Sequence, residues 1–183
     1  HGQPVEVAFA NAQRACLVVC DCGYLRHQRV WREQVAEGAA CQVVQVESDV
    51  VVPVELVSNK AEYAARTIRP KITKHLDEFL IALATTPVKN PSLNLRGSQE
   101  FTNLELSDVN ACLASLKLDT SLKPVTLFKG GTSAGKQQLA KFLDKSFATY
   151  ADNRNQPQTN DVSHMSKYLH FGQLSPIYIA LKI

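Results

Sequence analysis

Residues 130–136 read Gly-Gly-Thr-Ser-Ala-Gly-Lys, a match to G-x-x-x-x-G-K. In that pattern backbone N–H groups cradle phosphates and the lysine meets their charge. The match stands between Val125-Thr-Leu-Phe128 and a helical stretch, the strand-to-helix context such a loop needs. The chemistry also needs a Ser or Thr after the lysine to hold Mg²⁺, and the residue here is Gln137. No apolar strand ending in Asp follows to supply the second metal contact. A glycine-rich turn, with Thr132 or Ser133 near the start of a helix, is therefore weighted above a nucleotide-hydrolysing site. The nucleotide reading predicts Mg²⁺-dependent ATP binding that Lys136→Ala abolishes.

Two further clusters carry reactive or charged groups. Arg66, Arg69, Lys71 and Lys74 could meet phosphates, although a basic helical stretch is more often a solvated face. Cys16, Cys20, Cys22, Cys41 and Cys112 are odd in number and irregular in spacing. Cys20 and Cys22 form C-x-C with no second pair at zinc spacing, so no metal site is expected. Reduced thiols filling apolar positions in an intracellular protein, cytoplasmic or nuclear, are the preferred reading.

Alternating strands and helices must position these groups. Ala15–Cys20 is a continuous apolar, β-prone run, expected as a strand covered on both faces. Leu25 to Ala36 follows as a helix ended by Gly38, and Cys41 to Val46 as a second strand. Strand, helix, strand at this length predicts a βαβ unit and a parallel sheet. Val50 to Val57, interrupted by Pro53, predicts an edge strand or extended crossing. Ser58 is expected to cap a helix over Asn59 to Ile68, and Pro70 to open another. That second helix carries the stripe Ile72, Leu76, Phe79, Leu80 and Leu83.

From Thr85 to Lys129 the pattern weakens into a linker broken by Pro87, Pro91, Gly97 and Pro124, with one short helix over Ser107 to Leu116. Leu139, Phe142, Leu143, Phe147 and Tyr150 then make a second helical stripe. A polar loop over Asp152 to Asp161 follows, and a helix begins near Ser166.

Composition bounds these readings. The chain is 183 residues long, 45% hydrophobic and 20% charged, with a net charge of +3, which excludes a disordered chain. No apolar run approaches the roughly 18 residues of a membrane span, so no membrane partner is expected. His1 to Glu6 shows no basic stretch leading into an apolar one, as secretion would need. Twenty basic against 17 acidic residues is too mild a balance to indicate nucleic acid by itself. The chain lacks an initiator Met and ends within the apolar Pro176 to Ile183, so both ends are expected to be cut.

The richest segment reads Tyr150-Ala-Asp-Asn-Arg154-Asn-Gln-Pro157, five residues to Val162, then Ser163-His-Met-Ser166-Lys-Tyr168-Leu-His170-Phe-Gly172-Gln-Leu-Ser175. It resembles the DNA photolyases and cryptochromes, whose pattern is Y-x-x-x-R-[ND]-x-P, a short loop, then [TL]-S-x-L-S-P-Y-L-H-F-G-x-[IL]-S. Gly130-Gly131 followed by Ala140-Lys-Phe-Leu is similar to the family's lead-in to this helix. Upstream, Asp21-Cys-Gly-Tyr-Leu-Arg26, Val51-Val-Pro53 and Glu62-Tyr-Ala-Ala-Arg-Thr-Ile-Arg-Pro-Lys71 resemble, in order, motifs of the class II branch. The resemblance covers nearly the whole chain and is weakest between Thr85 and Lys129. Lys167 replaces the usual Pro, Val162 the frequent Thr, and Met165 the Leu.

The resemblance implies an α/β then all-α fold: the end of a Rossmann-like antenna domain (1–84), an interdomain linker (85–129), and the beginning of a helical FAD-binding domain (130–183). It implies that FAD is held by Val162, Ser163, His164, Met165 and Ser166, with Tyr150 also against the flavin. Two hydroxyls and the amides of a helix start suit an anionic pyrophosphate, although a serine cap is the simpler account of the residues alone. By pattern alone Tyr150 is core.

Arg154 matches a DNA-facing arginine, whereas a lone Arg in a polar loop is ordinarily solvated. His170 is expected to pack or cap locally, and no residue here is read as catalytic. The implied reaction is light-driven repair of cyclobutane pyrimidine dimers in damaged DNA, by electron transfer from reduced FAD to a flipped-out lesion. An antenna chromophore, deazaflavin or folate, and a monomeric protein are also expected. The 183 residues are expected to be an internal fragment that does not repair DNA alone. A cryptochrome-like photoreceptor without repair activity shares the flavin residues and is the alternative, with a noncatalytic interaction module behind it.

Overall fold

The computed structural model describes residues 3–91, 106–116 and 118–183. They gather into two units, one of His1–Glu47 with Thr86–Val125 and the other of Ser48–Thr85 with Thr126–Ile183. The first unit opens with α1 (Pro4–Ala12), a helix absent from the expected elements. Proline at its first position loses no hydrogen bond, and Glu6 accepts from the Gln3 N–H at 3.4 Å. β1 (Leu17–Asp21), α2 (Arg26–Gly38) and β2 (Gln42–Val46) then form the expected βαβ unit. The strands are parallel, with Leu17 opposite Gln42 and Asp21 opposite Val46. A Cβ at Gly38 would enter the Phe9 ring, so glycine there gives α1 a close seat against α2.

The strand is not covered on both faces as expected. Leu17 and Val19 are 43% and 59% exposed, while Val18 and Cys20 are half-buried. Successive strand side chains point to opposite faces, and the described helices cover these faces unequally. Cys16 is exposed rather than an apolar filler, whereas the other four cysteines, also free thiols, are half-buried.

The second unit opens at Ser48. Val50 to Val57 is no edge strand: Pro53 precedes a short helix, α3 (Val54–Val57), between buried Val52 and Val57. Ser58 does not cap a helix, because none begins between it and Ala65, and its hydroxyl donates to Glu62 Oε1 at 2.8 Å. The next helix, α4 (Ala65–Thr73), starts later than expected and runs through Pro70, which lies inside it and does not open it. Lys71 near its end reaches back to Glu62 at 2.5 Å, tying the helix to the preceding loop. The Glu62 side chain is 7% exposed. Hydrogen bonds from Lys71, Thr67 and Ser58 hold its pKa down to about 2.

The long stripe divides at Lys74 and His75 before α5 (Leu76–Phe79). Ile72, Leu76, Phe79 and Leu80 are half-buried, but Leu83 lies past the helix and is 74% exposed. In the expected linker, α6 (Val109–Ser115) forms with the Asp108 carboxylate accepting from the Ala111 N–H at 3.0 Å. Residues 86–91 and 118–129 carry no helix or strand, and Gly97 lies outside the described residues.

α7 (Thr132–Lys145), α8 (Tyr150–Asn153), α9 (Ser166–His170) and α10 (Pro176–Ala180) complete the chain. Their core is Leu139, Phe142, Met165, Tyr168 and Leu174, with Tyr150 and Tyr178 packed at its edge. The second stripe holds as far as Leu143 and then bends: α7 ends at Lys145, and Phe147 is 40% exposed. Phe142 still gathers Phe147 and Tyr150 by edge-to-face contacts at 5.8 and 5.5 Å. Val125 to Phe128 is not a strand, so the residues before α7 lack the context of a phosphate loop.

Candidate functional site

The glycine motif is occupied from within the chain. Gly131, at φ 100°, makes the turn into α7, a conformation that only glycine adopts without strain. Its N–H donates to Gln173 Oε1 at 2.8 Å, and the Thr132 hydroxyl donates to the Gln173 carbonyl at 2.9 Å. Gly135 is buried, and a Cβ there would come within 2.9 Å of Leu174 and 3.0 Å of Tyr168. The second glycine thus serves helix packing. Lys136 turns aside, its ammonium 5.2 Å from the centre of the Tyr178 ring. The Gly131 N–H and the Thr132 hydroxyl thus close a helical corner on Gln173.

The turn at 162–166 is built differently. Met165 is 4% exposed and fixes the turn to the core. Its N–H donates to Ser163 Oγ at 3.4 Å, and Gln138 Nε2 of α7 donates to the Ser163 carbonyl at 3.4 Å. His164 takes a left-handed conformation, φ 56°, uncommon for a residue with a side chain. Its ring lies 5.4 Å from Phe128, with Nε2 2.9 Å from Asn160 Oδ1. Burial, then the neighbouring Lys167 and Lys141, push the His164 pKa down. Ser166 begins α9 and is exposed. Val162 and His164 line a cleft of about 370 Å³ with Phe128, Gln138, Lys141 and Asn160. An apolar wall with one cation and several polar groups on its rim can take a ligand that is part aromatic and part anionic.

The other expected site residues form a neighbouring pair. Tyr150 is half-buried against Phe142, itself part of the cleft wall, so its place in the core holds. The Arg154 guanidinium lies 6.0 Å from the Tyr150 ring centre and is exposed. Val162 and His164 thus share the cleft, Tyr150 and Arg154 stack on each other, and Ser163, Met165 and Ser166 do not line the cleft. His170 packs locally, on the edge of Phe171 at 4.7 Å.

Sequence reasoning passed over Asp161. It accepts from Asn153 Nδ2 at 2.5 Å and from the Thr149 hydroxyl at 2.9 Å, joining both ends of α8 to the approach of the turn. Those bonds, from Asn153 first and then Thr149, hold its carboxyl below the usual range. Gln138 and Lys141, one turn apart on α7, were equally silent, because polar residues beside a stripe carry no pattern of their own. Among the described residues no group of His, Cys, Asp and Glu could hold a metal ion, and no helix is long and apolar enough to cross a membrane.

Residues 1–92 match the family model for DNA photolyase. The chain belongs to the DNA photolyase family. The photolyase match spans α1 to α5, and whole-chain relatives extend it across the turn. The chain is 37% identical over 179 residues to the deoxyribodipyrimidine photo-lyase of Methanothermobacter thermautotrophicus, covering 98% of this chain and 38% of that protein. It is 33% identical over 178 residues to the deoxyribodipyrimidine photo-lyase of Potorous tridactylus, with 95% and 32% covered. The enzyme of the same name from Oryza sativa is 30% identical over 193 residues, with 99% and 37% covered. The chain therefore spans about a third of the length of these curated relatives.

Proposed function

We propose that this chain is part of a class II-like deoxyribodipyrimidine photolyase, which in the whole protein binds FAD and splits cyclobutane pyrimidine dimers in damaged DNA under light. Residues 1–84 would be the end of a Rossmann-like antenna-type domain, although residues 48–85 gather with the second unit. Residues 85–129 would form a linker, and residues 130–183 the beginning of the helical FAD-binding domain. The observation that carries the reading is the Val162–Ser166 turn, anchored by buried Met165 and opening beside the cleft that holds His164 and Lys141.

The residues present fit such a cofactor. The cleft offers Lys141 as a cation and Phe128 and Val162 as an apolar wall, and exposed Ser166, at the start of α9 beside it, adds a hydroxyl. When bound, FAD supplies the light-driven electron that opens the dimer. The chain's own part is to hold and orient. Tyr150 braces the core beneath the cofactor, and exposed Arg154, steadied on the Tyr150 ring, meets a DNA phosphate.

An absorbance spectrum of the purified whole protein tests the reading. Flavin bands are expected, and Ser163→Ala with Ser166→Ala should lower the bound fraction. A folded, colourless protein that cannot be loaded with FAD would overturn it.

A further inference from the structure

Lys167 stands where the family pattern carries Pro, and its side chain is turned inward. Its Nζ donates to the His164 carbonyl at 2.7 Å and lies 3.6 Å from the Phe128 ring centre and 5.0 Å from that of Tyr168. Burial pushes its pKa down, as befits an ammonium partly withdrawn from water. The carbonyl it holds belongs to the turn's left-handed residue, His164 at φ 56°. A non-glycine residue there is strained and persists only where its surroundings impose it.

We propose that Lys167 is a positioning residue: its ammonium, cradled by Phe128 and Tyr168, latches the His164 carbonyl and keeps the Val162–Ser166 turn in its binding conformation. Proline stiffens a first helical turn through its fixed φ. Lysine restrains the same turn through its side chain, with a charge-assisted hydrogen bond and a cation–π contact. The charge is committed to the protein, so Lys167 acts on a cofactor through the turn and does not wait as a free phosphate ligand.

The consequence for cofactor binding rests on the FAD reading, while the latch itself does not. If losing it leaves about a tenth of the molecules with a competent turn, FAD affinity falls about tenfold. The test uses the whole protein, its Lys167→Met and His164→Gly variants, and the double variant. FAD affinity is read by flavin fluorescence, and thermal unfolding is followed without FAD. Lys167→Met should weaken FAD roughly tenfold and lower the melting temperature of the FAD-free protein. In the His164→Gly background the same change should do much less, because glycine adopts φ 56° freely. Lys167→Pro, restoring the family residue, should recover affinity relative to Lys167→Met.

A silent Lys167→Met, or equal effects in the two backgrounds, would overturn the latch. A protein that binds no FAD but shows the thermal coupling would overturn the functional reading and leave the latch standing.

Discussion

Residues 130–136 and 162–166 both resemble phosphate-binding segments, and the fold treats them in opposite ways. In the first, Gln173 takes the Gly131 N–H and Leu174 fills the space over Gly135. In the second, the core takes a single side chain, Met165, and the Met165 N–H closes on Ser163 Oγ, while Val162 and Ser166 stay exposed and His164 faces a cleft. A motif names donor types, and a site further requires donors that the protein has not spent on itself. The largest test of this contrast is Met165→Ala. Removing the buried anchor should cost about 2–5 kcal/mol in urea unfolding of the whole protein, whereas Met165→Leu should cost under about 1.5 kcal/mol. A silent Met165→Ala would mean that the turn is held by its hydrogen bonds alone.

The next largest effect belongs to the other segment. Gly135→Val puts a branched side chain where a Cβ already meets Leu174 at 2.9 Å, and should destabilise by about 1–3 kcal/mol. Mg²⁺-ATP should not raise the melting temperature of the parent or of Lys136→Ala. A nucleotide-dependent rise lost in Lys136→Ala would erase the contrast and restore the phosphate-loop reading. Gln173→Ala ranks third: it strips the partner from the Gly131 N–H and should cost about 1 kcal/mol, as losing a helix cap does.

Legibility followed the kind of force at work. The βαβ unit and the Leu139–Phe142 stripe were readable because burial imposes periods of two and 3.6 on apolar residues. Missing Gln173 and Asp161 follows from the same rule: a polar side chain that closes a turn, 42 residues away for Gln173 and 8 and 12 for Asp161, leaves no periodic trace. Pro70 misled because proline usually starts helices, while here α4 tolerates it inside and is tied by Lys71 to Glu62. α1 had local signals, Pro4 and Glu6, but they lay in a stretch read only for a targeting signal. The site residues Tyr150, Arg154 and Val162–Ser166 came from ordered motifs. Their grouping into a cleft pair and a stacked pair required the fold.

The smallest effect separates the two segments by pH. The contacts of Gln173 with Gly131 and Thr132 involve no titrating group, whereas the turn depends on two. His164 has its folded pKa pushed below the ordinary 6.5 by burial and by the nearby Lys167 and Lys141. The unfolded chain then takes up the proton first, so stability falls as pH drops below 6.5 toward the folded value. Asp161, held below the ordinary 3.8 by Asn153 and Thr149, stabilises the fold above that pH, and its contribution is lost as pH falls through the lower folded value. Two acid steps are therefore expected in the melting temperature of the FAD-free protein. His164→Asn, which also tolerates a left-handed backbone, should remove the upper step, and Asp161→Asn the lower. A parent profile flat between pH 7 and 5, or an upper step that survives His164→Asn, would show that the turn is as indifferent to protons as the glycine corner.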